Sequence, residues 1–238
     1  MANMHTVKSF DEDLRQLRSY ISQMGGLAEA QIMGAIEALA TRNPEMARKV
    51  VEGDRALDDL EVAAERNAIQ TIARRQPLAD DLREVISALK IAALLERIGD
   101  YAKNIAKRAT VLSQVEPIEP LVIVPEMGRT VTHMLKDVLD AYGSRDADKA
   151  RAVWSRDKSV DDFYNSLFRS LLTYMMENPQ QITPSTHVMF IAKNLERIGD
   201  HATNIAEIIY FNVTGSYMDT DRPKGDETAY ALVNKSAE

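Results

Sequence analysis

The 238-residue sequence contains no cysteine and little glycine or proline. The absence of cysteine excludes disulfides, thiolate metal ligands and a cysteine nucleophile. The 10 glycines and 8 prolines make up about 8% of the chain, whereas average usage is roughly 12%. Sandwiches, barrels and other loop-rich folds need more of both residues. The composition therefore predicts an all-α fold built from long helices.

Long apolar runs and the common catalytic motifs are absent as well. No stretch of about 18 apolar residues occurs, so no transmembrane helix is expected, and the N-terminus lacks the apolar core of a secretory signal. The P-loop, nucleophile-elbow and H-E-x-x-H patterns do not occur either. We therefore predict no catalytic residues and a non-enzymatic, cytoplasmic protein that meets a membrane only through partners.

Negative charge exceeds positive charge, with 36 Asp and Glu against 29 Lys and Arg, for a net charge of -7. A domain that binds nucleic acid through its electrostatic footprint is basic. The charge balance therefore predicts no nucleic-acid partner.

Prolines indicate where helices begin and end. Proline clashes inside a helix but is tolerated in the first turn, and Asn43-Pro44-Glu45 has the sequence of a capped helix start. Thr183-Pro184 follows the same pattern, and three prolines within residues 116–125 indicate a linker. Six helices are predicted, near residues 8–41, 44–74, 80–113, 121–143, 146–177 and 183–212. Gly25-Gly26 is expected at a close helix crossing or a kink, and Gly99 and Gly199 are expected at close-packing points.

One segment of the sequence is repeated. LERIGDYAKNIA at residues 95–106 returns as LERIGDHATNIA at residues 195–206, with ten of twelve positions identical. Upstream, an offset of 103 residues pairs Asp54 with Asp157, Leu57 with Val160, and Met24-Gly25 with Met127-Gly128. We therefore predict two tandem three-helix bundles related by internal duplication. The first repeat is expected at residues 1–116, the second at 117–215, and a polar tail at 216–238.

Each copy of the repeated segment carries a polar stripe along its helix. At about 100° per residue, Glu96, Asp100 and Asn104 fall on one side, opposite an apolar arc that includes Ile98 and Ala102. The second copy gives the equivalent residues Glu196, Asp200 and Asn204. The preceding helices add pairs with the same spacing, Asp54 with Asp58 and Asp157 with Asp161. The apolar arcs are predicted to pack the bundles and the carboxylates to face outward.

These four carboxylate pairs form the candidate site. A like-charge pair four residues apart costs about 0.2–0.5 kcal/mol in an isolated helix, so their repetition calls for an explanation. If the second and third helices of each unit are neighbours, four carboxylates and an amide come together. Such oxygen ligands suit hard cations such as Mg, Ca, Mn or Fe(III). An alternative is a solvated acidic face that Arg97 and Arg197 compensate locally.

The repeated motif resembles a known family. The tandem LERIGD-x-A-x-NIA segments, with QPLADDLREV before the first and EIIYFNVTG after the second, are similar to the PhoU family of accessory regulators of phosphate-specific transport. The resemblance covers nearly the whole chain up to about Gly215. It implies a cytosolic protein with two similar three-helix bundles.

The resemblance also implies partners and a metal. The expected partners are the ATPase subunit of a Pst-type ABC transporter and a PhoR-type sensor kinase, with the protein restraining phosphate uptake and the phosphate-starvation response. The family's metal motif falls on the same four pairs, Asp54 with Asp58, Glu96 with Asp100, Asp157 with Asp161, and Glu196 with Asp200. The family is associated with iron or zinc clusters and with manganese or magnesium, so the identity of the metal does not transfer. Paired bundles with exposed acidic faces also favour a homodimer.

The two predicted sites are not identical. Glu61 and Glu65 extend the first acidic stripe, whereas Tyr164 and Phe168 stand at the corresponding positions of the second. We therefore expect the first site to hold cations more tightly or in greater number.

Two other interpretations remain open from the residues alone. A carboxylate-bridged metal oxidase or metal store of the helical-bundle type would use Glu-x-x-His motifs on inward-facing positions. No glutamate in this sequence has a histidine three residues later. The second alternative is a helical scaffold that binds no metal.

Overall fold

The structure of the protein, a computed structural model, describes residues 2–218, and this part of the chain is helical with no strand. The expected all-α class is therefore confirmed. The tail expected from residue 216 lies outside the described residues from residue 219 onward. Seven α-helices follow one another: α1 (Ala2–Ala40), α2 (Pro44–Arg75), α3 (Ala79–Leu112), α4 (Val124–Ser144), α5 (Ala147–Trp154), α6 (Asp157–Glu177) and α7 (Ile182–Thr214). Within the described range, no helix has the length and apolarity needed to cross a bilayer.

Side chains cap the starts of α2 and α5, as the sequence indicates, whereas α7 begins at Ile182 without a side-chain cap, before the predicted start at Thr183. Asn43 accepts hydrogen bonds from the backbone N–H groups of Glu45 and Met46, both at 3.1 Å, with Pro44 at the first helical position of α2. Asp146 caps α5 by accepting from the N–H of Lys149 at 2.9 Å. The linker forms a short 3₁₀ turn, Glu119–Ile123, that leads directly into α4.

The single helix predicted at residues 146–177 is wrong, because the chain breaks at Ser155 and Arg156 into α5 and α6. The Ser155 hydroxyl donates to the Arg151 carbonyl at 3.0 Å, and the Ser159 hydroxyl donates to the Arg156 carbonyl at 2.7 Å. Such local bonds compete with the regular helical pattern. The N–H of Arg156 bonds only three residues back, to Val153, which tightens the turn. The break makes Asp157 the first residue of α6.

The helices form two three-helix bundles. Helices α1, α2 and α3 pack against one another, while α4, the α5–α6 pair and α7 make the second bundle. The predicted apolar arcs line the cores, since Ile98, Ala102 and Ile105 are fully buried. Their counterparts Ile198 and Ala202 are buried in the same way. The two tandem three-helix bundles expected from the duplication are thus confirmed.

The bundles meet through two antiparallel helix pairs, α1–α4 and α3–α7, and each pair joins equivalent helices of the two repeats. In the α1–α4 pair, a Cβ on Gly25 would lie 2.6 Å from a Leu139 methyl, and a Cβ on Gly128 would lie 2.7 Å from Ile36. Leu139 corresponds to Ile36 at the offset of 103 residues, and Gly128 corresponds to Gly25. The two contacts are therefore equivalent in the internal repeat. The close crossing expected at Gly25 is therefore confirmed.

The α3–α7 pair continues the same symmetry. Tyr101 and His201 occupy equivalent positions of the repeated segment, and their rings stack with centroids 5.5 Å apart. At one end of the pair Arg83 donates to the Asn212 carbonyl at 3.1 Å. At the other end Arg108 lies 3.3 Å from Nδ1 of His187. At the centre of this pair, the internal repeat therefore places equivalent positions of the two bundles opposite each other.

Within the first bundle, Gly99 allows α3 to lie close to α2. A Cβ at Gly99 would lie 2.3 Å from Cδ2 of the buried Leu57 and 2.9 Å from Oε1 of Gln31. Gly199 has the equivalent position against Val160 of α6. A Cβ added there would have more room, since it would lie 3.3 Å from Cγ1 of Val160. Both glycines mark close packing, as the sequence predicts.

We expect Gly99→Ala to lower the free energy of unfolding by about 1–3 kcal/mol, because the added methyl overpacks the α2–α3 contact. Gly53→Ala is the matched control, since a methyl added at this exposed position of α2 would meet nothing within 4 Å. There the better helix propensity of alanine should raise stability by up to about 1 kcal/mol. Urea denaturation of the two variants measures the difference, and equal shifts would contradict this packing.

Candidate functional site

The first candidate site lies where α2 and α3 run antiparallel. Their contact brings Leu57 against Gly99 and Asp54 against Lys103, so the expectation that the second and third helices are neighbours is confirmed. Five carboxylates gather along this contact, and we call them the first acid cluster. The cluster comprises Asp54, Asp58, Glu61, Glu96 and Asp100.

A lysine lies inside this cluster. The Lys103 ammonium contacts the Asp54 carboxylate on α2 and lies 3.3 Å from Oδ1 of Asp100 on α3. These two carboxylates raise the pKa of Lys103, so its charge is retained. The spacing of the acidic residues does not predict this lysine. The sequence does contain a signal for this position, because Lys103 and Thr203 form one of the two differences between the repeated segments at residues 95–106 and 195–206.

Burial in the low-dielectric contact perturbs the carboxylates of the first acid cluster. Burial, together with the nearby charges of Asp100 and Glu61, raises the pKa of Glu96 to about 7. Arg97 opposes this rise only partly, because its Nε lies 3.7 Å from Glu96 and its side chain is exposed. Partial loss of hydration likewise raises the pKa of the half-buried Glu61 and, although much of its side chain is open to solvent, of Asp58, each with help from a neighbouring carboxylate. The cluster therefore carries more negative charge than its surroundings stabilise.

The expectation that the carboxylates face outward is wrong for four of them. Asp54, Asp157, Asp161 and Glu196 are each at most 5% exposed. Asp54, Asp157 and Asp161 lie on the buried face of their own helices, at the same helical spacing as Leu57 and Val160. Only Glu196 lies opposite the apolar arc of its helix, and it is buried as well. The remaining predicted ligands are more open. Asp58 and Asn104 are exposed, whereas Glu96, Asp100, Asp200 and Asn204 are half-buried.

The second acid cluster comprises Asp157, Asp161, Glu196 and Asp200, at the equivalent positions of α6 and α7. Here the hydroxyl oxygen of Thr203 lies 3.1 Å from Oδ1 of Asp157 and 2.7 Å from the Gly199 carbonyl, so its single proton is shared between these acceptors, in the place that Lys103 takes in the first cluster. A lysine approaches from another position, since Nζ of Lys193 donates to Glu196 at 2.9 Å. The same ammonium lies 4.8 Å from the ring centre of Tyr164, the counterpart of Glu61.

The donor chemistry of the two clusters suits a hard cation, but the side chains do not surround one. Among the side chains that the structure describes, those of residues 10–218, no three of Asp, Glu or His converge in an arrangement that could hold a metal ion. In the first cluster the Lys103 ammonium lies between two of the carboxylates that would have to converge. This ammonium is a cation in the position where oxygen ligands from two helices meet.

Comparisons with known proteins match both bundles. A family model described as the PhoU domain matches residues 21–109 and 124–209, which contain every residue of the two acid clusters. The phosphate-specific transport system accessory protein PhoU homolog of Zymomonas mobilis is 54% identical over 223 residues, 94% of each chain. The homolog of the same description from Caulobacter vibrioides is 52% identical over 93% of this chain and 97% of its own. The crystal structure of PhoU from Pseudomonas aeruginosa is 40% identical, with a TM-score of 0.85, over 87% of this chain and 100% of that one.

In chelator-treated protein, Glu96 should make stability fall as pH rises from about 4.5 to about 7. The folded protein keeps the Glu96 proton up to about pH 7, whereas the unfolded chain releases it near 4.5, so ionisation is costly only in the folded state. Between pH 4.5 and 7.5, the free energy of unfolding of Glu96→Gln should therefore rise relative to that of the wild type by on the order of 1–2 kcal/mol. Urea denaturation at several pH values measures this gain. The control Glu116→Gln, at an exposed linker position, should follow the wild-type curve. Parallel curves for all three proteins would contradict the assignment.

Proposed function

The chain belongs to the PhoU family, and from this premise we propose that it is a cytoplasmic accessory regulator of a phosphate-specific transport system. The observation that carries the proposal is the match of both bundles, together with high identity over nearly the full length of relatives that bear this description. The two acid clusters, which no packing requirement of a helical bundle explains, lie within the matched ranges.

The specific role is negative regulation. The protein restrains phosphate uptake and the phosphate-starvation response when phosphate is sufficient. It does so by contacting the ATPase subunit of a Pst-type ABC transporter and a PhoR-type sensor kinase. The duplicated architecture supports this role because two similar bundles in one chain present two related surfaces, one for each partner. A homodimer would double these surfaces.

Deletion of the gene from its host tests the regulatory role. Phosphate-starvation genes should then be expressed in phosphate-rich medium, and the wild-type gene supplied in trans should repress them again. Purified full-length protein should also retain the transporter ATPase and the sensor kinase in a pull-down, with retention that depends on phosphate. Normal repression in the deletion strain, or no binding to either partner, would overturn the role.

We further propose that the acid clusters bind metal ions. The ligands would come from the four carboxylate pairs and two amides: Asp54, Asp58, Glu96, Asp100, Asn104, Asp157, Asp161, Glu196, Asp200 and Asn204. Iron, zinc, manganese and magnesium are the candidate ions. A bound divalent cation would offset the burial and the carboxylate repulsion that together raise the pKa of Glu96, and so would stabilise the contact between the second and third helices.

Metal content should fall more in Asp58→Asn than in Asp161→Asn. The first cluster has Glu61 and Glu65 where the second has Tyr164 and Phe168, so the first should hold more ions or hold them more tightly. Elemental analysis of gently purified protein measures the content, and circular dichroism checks that each variant is folded. Equal losses would contradict the difference between the sites. Sustained Fe(II) oxidation by the wild type would instead favour the oxidase alternative.

A further inference from the structure

A groove runs along the outer side of the α3–α7 pair, where the C-terminal half of α3 lies antiparallel to the N-terminal half of α7. We call this surface the outer groove, and its lining comprises Tyr101, Arg108 and Val111 of α3 with His187, Phe190 and Arg197 of α7. These side chains are exposed or half-buried, and they follow the spacing of one helix face. No Asp or Glu stands at the positions of this spacing, which are 97, 101, 104, 108 and 111 on α3 and 187, 190, 194, 197 and 201 on α7.

Arg108 lies half-buried in the outer groove without a carboxylate partner. Its guanidinium carbon is 4.2 Å from the ring centre of Phe190, and its Nη1 lies 3.3 Å from Nδ1 of His187. It forms no salt bridge with any side chain that the structure describes. Burial lowers the pKa of Arg108, because the charge loses hydration that no opposite charge replaces.

Arginines in other contacts between helices are paired. Arg18 of α1 lies 2.6 Å from the Glu84 carboxylate of α3, and Arg75 of α2 lies 2.9 Å from Asp13 of α1. Arg108 differs from both, since its N–H donors meet no described carboxylate. A charge that the fold itself leaves uncompensated is the pattern of a binding residue.

Arg197 extends the positive charge along the outer groove. Its guanidinium carbon lies 5.8 Å from the ring centre of Tyr101, which stands two helical turns before Arg108, and it too forms no salt bridge among the described side chains. Apolar side chains lie open beside these cations, since Phe190 is 50% exposed and Val111 is 41% exposed. Arginine and aromatic side chains on an open apolar surface are the composition of protein-binding hot spots.

We propose that the outer groove binds an acidic amphipathic helix of a partner protein, with Arg108 as the anchor for one of its carboxylates. This inference rests on the proposed regulatory function, whose protein partners would supply the helix. The planar guanidinium binds a carboxylate through two parallel hydrogen bonds, and the Phe190 ring already holds it in place. The groove between two helices receives the apolar face of a third, which would cover Phe190 and Val111.

The charge and shape of the outer groove favour this occupant over two others. If two copies of the chain packed groove to groove about a two-fold axis, Arg108 and Arg197 would face the same cations of the other copy and repel them. An anionic bilayer presents a flat surface, which reaches side chains that project from the protein. Arg108 is half-buried between the two helices, where one side chain of a docked helix can reach it.

The test measures binding of the full-length protein to the purified transporter ATPase subunit and to the purified sensor kinase, at low and at high salt. The variants are Arg108→Gln, Arg108→Lys and Arg197→Gln. Arg66→Gln is the matched control, because Arg66 is an exposed arginine on α2, outside the α3–α7 pair. Each protein is also tested for binding to vesicles of phosphatidylcholine and phosphatidylglycerol, and for self-association by sedimentation. Circular dichroism checks folding, and Arg197→Gln, at an exposed position, keeps the test valid if Arg108→Gln does not fold.

Arg108→Gln should weaken binding to at least one of the two proteins roughly tenfold or more, and Arg108→Lys should recover only part of that loss. Arg197→Gln should weaken binding less and mainly at low salt, and Arg66→Gln should bind as the wild type does. Wild-type binding that none of the groove variants weakens would overturn the inference while leaving the regulatory function intact. No binding of the wild type to either protein would overturn both. Loss of vesicle binding or of self-association in Arg108→Gln, with protein binding unchanged, would assign the groove to a lipid surface or to a second copy instead.

Discussion

A buried carboxylate on the second helix must be compensated by the third helix in each bundle, and the arrangement of both candidate sites follows from this requirement. Asp54 and Asp157 lie in the contact between these helices, where an uncompensated charge would strongly destabilise the fold. Lys103 supplies a cation in one bundle and Thr203 supplies a hydroxyl in the other. Because Gly99 and Gly199 allow the helices to approach closely, the partner on the third helix reaches the carboxylate directly.

Much of this arrangement can be predicted from the sequence, because it depends on periodicity and repetition. The helices, the duplication, the apolar arcs and the adjacency of α2 and α3 all follow from residue spacing. The wheel that places Glu196 opposite Ile198 describes one helix by itself, however. It contains no information about the neighbour that covers the opposite side, and for this reason Glu196 is buried against expectation. Asp54, by contrast, follows the helical spacing of the buried Val50 and Leu57 on its own helix.

Two other features depend on local chemistry that periodicity does not detect. At the break between α5 and α6 the N–H of Arg156 bonds three residues back to Val153, and the hydroxyls of Ser155 and Ser159 bond to nearby carbonyls, in a segment whose apolar pattern continues across the break. The place of Lys103 in the first cluster depends on the reach of its side chain across the helix contact. Comparing the two copies position by position would have singled out Lys103, since so few positions differ.

The antiparallel pairing of α1 with α4, in which Gly25 and Gly128 exchange roles, has an evolutionary consequence. Contacts of this kind are those of a symmetric dimer whose two subunits have become one chain. In a true dimer every substitution appears twice, so both subunits must remain identical. Fusion into one polypeptide keeps the old interface at high effective concentration and releases each half from that constraint. Lys103 and Thr203, like Glu61 and Tyr164, are differences between the two halves that a symmetric dimer of identical chains cannot have.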